Sequence, residues 1–192
     1  AALLGERPPE RRELQIIRGS VDHLRALLQR TRMHTGRVVL SPDDCNVRAL
    51  FEQIIRETPH TDALRIEIDR CDDAPLYCDP SHVREALTNL VGNAVEAMRG
   101  SGRITLSYVR TARKATISDC DDGPGMTPAA QKRIFEPYYT TKTSGENFGL
   151  GLYYCQNVMN VHEGSIRVSS APGKGCTFTL IFPLAAQGRR KP

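Results

Sequence analysis

The feature that most restricts the fold is that the strand-like segments come in adjacent pairs, with helical segments set between the pairs. Residues 103–109 and 114–118 read as one pair, and 165–169 and 176–182 as another, joined by Pro172-Gly-Lys-Gly175. Residues 64–68 alternate apolar and polar side chains as a half-buried strand does, and 75–78 is a further candidate. Strands linked this closely pair antiparallel, and the intervening helices must cover a face of the resulting sheet. The expected fold class is therefore an α/β (α+β) two-layer sandwich, a mostly antiparallel mixed sheet with helices on one face, rather than a doubly wound fold. A chain of 192 residues holds one well-buried domain of this kind plus an appendage.

Helix boundaries follow from local chemistry. Asp79-Pro80 supplies an N-cap and a proline at the first helical position, for a helix running to about Met98 and stopped by Gly100-Ser-Gly102. Residues 46–57 form a helix before Pro59, and a helix from about Gly149 ends near Gly164. Ser41-Pro-Asp-Asp44 reads as a turn, and 121–148 as a long loop interrupted by Ile134-Phe135. Upstream, Leu14, Ile17, Val21, Leu24 and Leu28 recur at alternating steps of three and four. That spacing fits an amphipathic helix on its own domain, or one helix of a bundle that needs a partner to cover it. The expected organisation is an N-terminal helical part over 1–37, a main domain over 38–185 and a basic tail over 186–192.

Composition excludes several functions. A net charge of +4, with basic residues scattered outside the tail, gives little support for nucleic-acid binding. The six cysteines form no C-x-x-C and lie beside no histidine in ligand spacing, so buried free thiols in a reducing compartment are expected. No apolar run reaches membrane-spanning length and no signal peptide is visible, so no membrane contact by this segment and a cytoplasmic location are expected. Because the first residue is Ala, a fragment with an unseen sensor or tether upstream is expected.

At 100° per residue, Val83, Leu87, Leu90, Val91, Ala94, Val95 and Met98 share one face of the 79–98 helix, and Glu85, Asn89, Asn93 and Glu96 line the other. Asparagine is a poor helix former, so this stripe is either a chance polar surface or the wall of a cleft where an amide oxygen meets Mg2+. Asp121-Asp122-Gly123-Pro-Gly125 is a good turn in its own right. It also offers a carboxylate for an exocyclic amine and glycines that admit a flat ligand. Gly149-Leu150-Gly151-Leu152 opens a helix whose N–H groups suit phosphate, although plain capping explains it equally well. Between these lies Glu136 to Phe148, a surface loop or a lid whose Lys142 reaches phosphate oxygens. There is no P-loop, no nucleophile triad and no histidine pair in metal spacing; the five histidines read as structural or surface residues.

In this order the motifs resemble the ATP-binding catalytic domain of bacterial sensor histidine kinases, within the superfamily that includes gyrase B, Hsp90 and MutL. The resemblance covers about residues 40–183. Asn89-Leu-Val-Gly-Asn93-Ala94 is similar to the N box and Asp121-Asp-Gly-Pro-Gly125 to the G1 box. Residues 134–142 are similar to the F box, 149–164 to the G2 region, and Gly173-Lys-Gly175-Cys-Thr177-Phe178 to the closing glycine motif.

The resemblance implies a Bergerat-type fold and ATP and Mg2+ as cofactors. Asp121 would bind the adenine amino group near Gly123, Gly125 and Thr177. Asn93 would be the metal ligand and Asn89 would lie near the metal or phosphates. Gly149, Leu150, Gly151, Leu152 and Lys142 would lie around the triphosphate, with Asn89 and Lys142 acting in catalysis. It implies transfer of the γ-phosphate to a histidine, relay to a response-regulator receiver domain, and a homodimer through the N-terminal helix. The helix over 13–35 corresponds to the second helix of the family's hairpin, so the phosphoacceptor helix is expected to be missing and self-phosphorylation by this piece is not expected. Two alternatives stay open: an ATPase of the same superfamily, and an inactive ATP-binding adaptor, to which the missing phosphoacceptor and the departures at Glu96 and Asn147 point; Ala97 departs as well. The superfamily's ATPases carry a general-base Glu four residues before the metal-binding Asn. Asn89 stands there and counts against hydrolysis.

Overall fold

Among the described residues, three of the four helices begin on a side chain that caps them. Asn46 accepts the Ala49 N–H to open α1 (Val47–Glu57), and Thr127 accepts the Ala130 N–H to open α3 (Pro128–Arg133). Asp79, 5% exposed, accepts the Ser81 and His82 N–H groups to open α2 (Pro80–Ala97), while its second oxygen accepts the Ser41 N–H. The fourth helix, α4 (Gly151–Val161), has no side-chain cap. The computed structural model describes residues 40–59, 61–141 and 149–184. The expected heptad helix, the tail and Lys142 lie outside the described residues. The chain divides into two compact units, and the fold below is that of the larger, Leu40–Tyr139 with Gly149–Pro192.

The strands are β1 (Asp43–Cys45), β2 (Leu64–Cys71), β3 (Leu76–Cys78), β4 (Gly102–Arg110), β5 (Lys114–Asp121), β6 (Ser165–Ser170) and β7 (Cys176–Pro183). Five form one sheet in the order β2-β4-β5-β7-β6, in which β2 and β4 run parallel and the other neighbours antiparallel. Helix α2 lies between β3 and β4 in sequence, so the parallel pair is joined by a crossover rather than a hairpin. This is the mixed, mostly antiparallel two-layer fold expected. Two local expectations change. Residues 43–45 are a short strand paired with β3, not part of a turn, because Cys45 and Cys78 are both buried there. The long loop contains α3, whose Thr127-Pro128 start is a capping signal of the same kind as Asp79-Pro80.

Period-two alternation sends one face of the sheet into the core. One row across it reads Ile68, Leu106, Asp119, Phe178, Val168; the next reads Ile66, Ile104, Asp121, Cys176, Ser170. Helices α1, α2 and α4 cover this face, with Phe51, Ile54, Leu87, Leu90, Cys155 and Met159 sealed from solvent. Among the described residues no helix is long and apolar enough to cross a membrane.

Candidate nucleotide-binding site

At the end of β5, where the strand meets its loop, Asp121 is 8% exposed. Its Oδ1 accepts the Gly123 N–H at 2.9 Å and the Cys176 N–H at 3.3 Å, leaving Oδ2 as the oxygen that can meet a ligand. Burial raises its carboxyl above the usual range, and the two N–H bonds draw it back. The loop beyond is tied on both sides. Asp122 accepts the Arg103 N–H at 2.8 Å, Gly175 donates to the Gly123 carbonyl at 3.1 Å, and Gly173 donates to the Pro124 carbonyl at 2.7 Å.

Two of the glycines are required by the protein itself. A Cβ at Gly125 would lie 2.0 Å from the Ala171 carbonyl oxygen, and one at Gly175 would lie 1.9 Å from that of Asp121, both at positive φ. Gly175→Ala is therefore expected to cost about 3 kcal/mol or more, because backbone must move. Gly173→Ala, with the same handedness but open space around it, is expected to cost only about 1 kcal/mol. Denaturant melts of the two variants check the contrast.

Helix α2 carries the second set of candidate side chains. His82, Glu85, Asn89 and Asn93 lie half-buried along it, while Glu96 is exposed. The Tyr154 hydroxyl of α4 donates to Glu85 Oε2 at 2.5 Å and lies 3.1 Å from His82 Nδ1. With its one proton on Glu85, the hydroxyl accepts from His82, so three side chains fix α2 against α4. Tyr154→Phe removes both bonds and is expected to destabilise the domain by about 1–3 kcal/mol in thermal or denaturant melts.

One turn further on, Asn89 Nδ2 donates to the Glu85 carbonyl at 3.0 Å, and its Oδ1 lies 3.2 Å from where a Cβ on Gly151 would stand. The start of α4, which has no side-chain cap among the described residues, thus abuts Asn89, where the first-turn N–H groups and the positive end of the helix dipole lie. Gly149 is at φ +65, Leu150 is the N-cap and Leu152 is in the first turn. The Gly149 carbonyl accepts the Tyr138 N–H at 3.0 Å, which joins the chain on either side of 140–148.

The structure thus brings Asn89 to Gly151, and Asp121, Gly123 and Gly125 to the 171–175 turn. It does not bring Thr177 to Asp121. Thr177 Oγ1 donates to Cys120 Sγ on the opposite face of the sheet, because Phe178, Leu180 and Phe182 point into the core and alternation turns Thr177 outward. Cys176 occupies the Asp121 row instead, and the alternation carried that signal in the sequence. Asp119, one of the carboxylates the sequence places at this strand end without a role of its own, stands on the same strand face as Asp121.

No three His, Cys, Asp or Glu side chains converge as a metal cluster among the described residues. A neutral amide such as Asn93 fits Mg2+ that arrives already coordinated by phosphate and water, not a cage made by the protein alone.

Residues 78–186 match the family described as histidine kinase-, DNA gyrase B-, and HSP90-like ATPase. The chain belongs to this family. It is 41% identical over 118 residues to the signal transduction histidine-protein kinase AtoS of Escherichia coli, covering 61% of this chain and 19% of that protein. It is 32% identical over 165 residues to the adaptive-response sensory kinase SasA of Rippkaea orientalis, covering 82% of this chain and 42% of that protein. The chain therefore spans less than half the length of these curated relatives. Among solved structures, full-length ShkA in complex with AMPPNP superposes with a TM-score of 0.78 at 26% identity, over 96% of this chain and 40% of that one. The nucleotide-free catalytic domain of the histidine kinase ThkA gives 0.64 at 25% identity, over 75% of this chain and 98% of that one. The mixed sheet and helix layer of this family member are those of histidine kinase catalytic domains.

Proposed function

We propose that this chain is the Mg-ATP-binding catalytic part of a histidine protein kinase in a two-component system. The observation that carries the reading is the pairing of a buried, ligand-facing Asp121 with an uncapped α4 start held against Asn89. An amine acceptor at Asp121 and an anion site at the α4 start match a nucleotide with an amino-bearing base. Asp121 Oδ2 accepts the adenine amino group, and the N–H groups at Gly151 and Leu152 receive phosphate oxygens, with Asn89 beside them. Asn93 is the side chain that would hold Mg2+, which when bound neutralises charge on the phosphates.

The chain's own contribution is positioning. Asp121 and α4 fix the nucleotide at both ends so that the γ-phosphate is presented in line to a histidine on another helix. Lys142 is assigned to the triphosphate by the motif alone. The absence of a carboxylate at Asn89 disfavours water as the acceptor and so disfavours the ATPase reading. The proposal includes dimerisation through 13–35, relay to a receiver domain, and a cytoplasmic location for this part of the protein.

The test is a longer polypeptide that includes the preceding His-bearing helix, incubated with γ-labelled ATP and Mg2+. Acid-labile, base-stable label on that protein, lost in Asn93→Ala, is the expected result. ATP binding with no protein label and rapid phosphate release would favour the ATPase reading, and binding without either would favour the adaptor.

A further inference from the structure

The core row that contains Asp119 is otherwise made of Ile68, Leu106, Phe178 and Val168. A carboxyl 2% exposed in such a row is costly unless it is paired or neutral. Asp119 Oδ1 has no hydrogen-bond partner among the described residues. Asp121, two residues on and about 7 Å along the same strand face, has two N–H donors. The strand end therefore carries two carboxyls with opposite support: Asp121 is stabilised as an acceptor, and Asp119 is left to carry a proton.

The other titratable groups facing Asp119 do not supply a cation. They are Cys155 on α4 and Cys176 on β7, both thiols raised by burial and so neutral near pH 7. Leu106 and Phe178 flank it on β4 and β7, and the charged group of α2 on this side, Glu85, reaches Cys155 and Tyr154. Burial first and the Asp121 charge second push the Asp119 carboxyl up to about 7.

Building on the nucleotide reading above, we propose that Asp119 is the proton-bearing second carboxyl of the base site and a determinant of base specificity. Its O–H donates to a water held between the two carboxyls, which frees both water hydrogens for Asp121 and for the ring nitrogen beside the amino group that Asp121 accepts. The pocket then presents acceptor and donor side by side, complementary to the amino and ring-nitrogen edge of a 6-aminopurine. A 6-oxopurine presents the reverse pattern. Loss of the Asp119 proton leaves three acceptors competing for the water's two hydrogens, which weakens binding of the aminopurine and narrows its preference over the oxopurine.

The experiment is calorimetry of ADP and IDP binding to the whole chain and to Asp119→Asn. Titrations run from pH 6 to 8.5, in pairs of buffers with different ionisation enthalpies. Asparagine keeps an N–H donor and cannot titrate. Wild-type affinity for ADP is expected to fall about tenfold relative to the variant across that range. Wild type should also take up a larger fraction of a proton on binding, and the ADP-over-IDP preference should shrink with pH in wild type alone. Phosphate ionisation contributes equally to both proteins and cancels in the comparison. Equal proton counts and parallel pH profiles would confine Asp119 to a role in stability and overturn the proposal. Absence of ADP binding to folded wild type at every pH would instead overturn the nucleotide reading beneath it. Should the variant not fold, carboxyl-carbon NMR of wild type decides: ADP must shift the Asp119 titration upward, and an unmoved titration sinks the idea.

Discussion

Asp121→Asn is expected to abolish the rise in melting temperature that ADP gives the wild-type protein, while leaving the unliganded fold intact. The asparagine Oδ1 can still accept the Gly123 and Cys176 N–H groups, so the loop keeps its anchors. Its second atom becomes an NH2 group facing the adenine amine, donor against donor, in a site that solvent barely reaches. Losing one hydrogen bond to a charged acceptor and leaving a buried donor unmatched costs about 3 kcal/mol together, roughly a hundredfold in affinity. Ligand stabilisation follows the logarithm of ligand concentration over Kd, so a titration that raises the wild-type transition by several degrees should leave the variant flat. An equal ADP-induced shift in both proteins would remove Asp121 from the base site.

The second large effect needs no ligand. Stability is expected to fall as pH rises from about 4 to about 7, and Asp119→Asn should remove most of that slope. In the unfolded chain an aspartate loses its proton near pH 3.9, whereas in the folded protein Asp119 keeps its proton up to about 7. Across that window the folded state binds more protons than the unfolded one, so each pH step upward favours unfolding; above the folded value the loss is complete. About three pH units at 1.36 kcal/mol each give a penalty of about 4 kcal/mol at neutral pH, a large part of a typical domain's stability. Asp121, also raised, adds in the same direction. His162 acts in the opposite one. Burial lowers its value, so the neutral ring is favoured in the fold and stability is gained as pH rises through its unfolded value near 6.5. Comparison with Asp119→Asn isolates the carboxyl. Urea melts at pH 5, 6, 7 and 8 should show the variant gaining on wild type up to about pH 7 and levelling off beyond it. A constant difference across that series would mean that Asp119 is ionised throughout.

The paired strands and the capped helix at Asp79 were legible because their signals are local: alternation of two, an Asp-Pro start and a Gly stop. The parallel pairing of β2 with β4 was not, since it depends on the α2 crossover returning the chain to the same sheet edge. The strand at 43–45 was obscured because three residues carry too little periodicity, and its partner lies more than thirty positions away. At the proposed site, Asn89, Asn93 and Asp121 were singled out from residue type and spacing, which are local signals. Thr177 was assigned by motif against the alternation of its own strand, and the alternation prevailed. Asp119 was given no role of its own because in sequence it is one more acid at an acidic strand end. Only the register with Leu106 and Phe178 shows it to be an acid inside an apolar row.

On the function proposed above, the chain binds an adenine nucleotide together with Mg2+ through α2, the start of α4 and the Asp121 loop. Calorimetric titration of ATP into the folded wild-type chain, with and without Mg2+, tests it most directly. Saturable binding at one site, strengthened by Mg2+ and with that strengthening lost in Asn93→Ala, is the predicted result. A protein that melts cooperatively yet gives no binding heat at any temperature, with or without Mg2+, would contradict it.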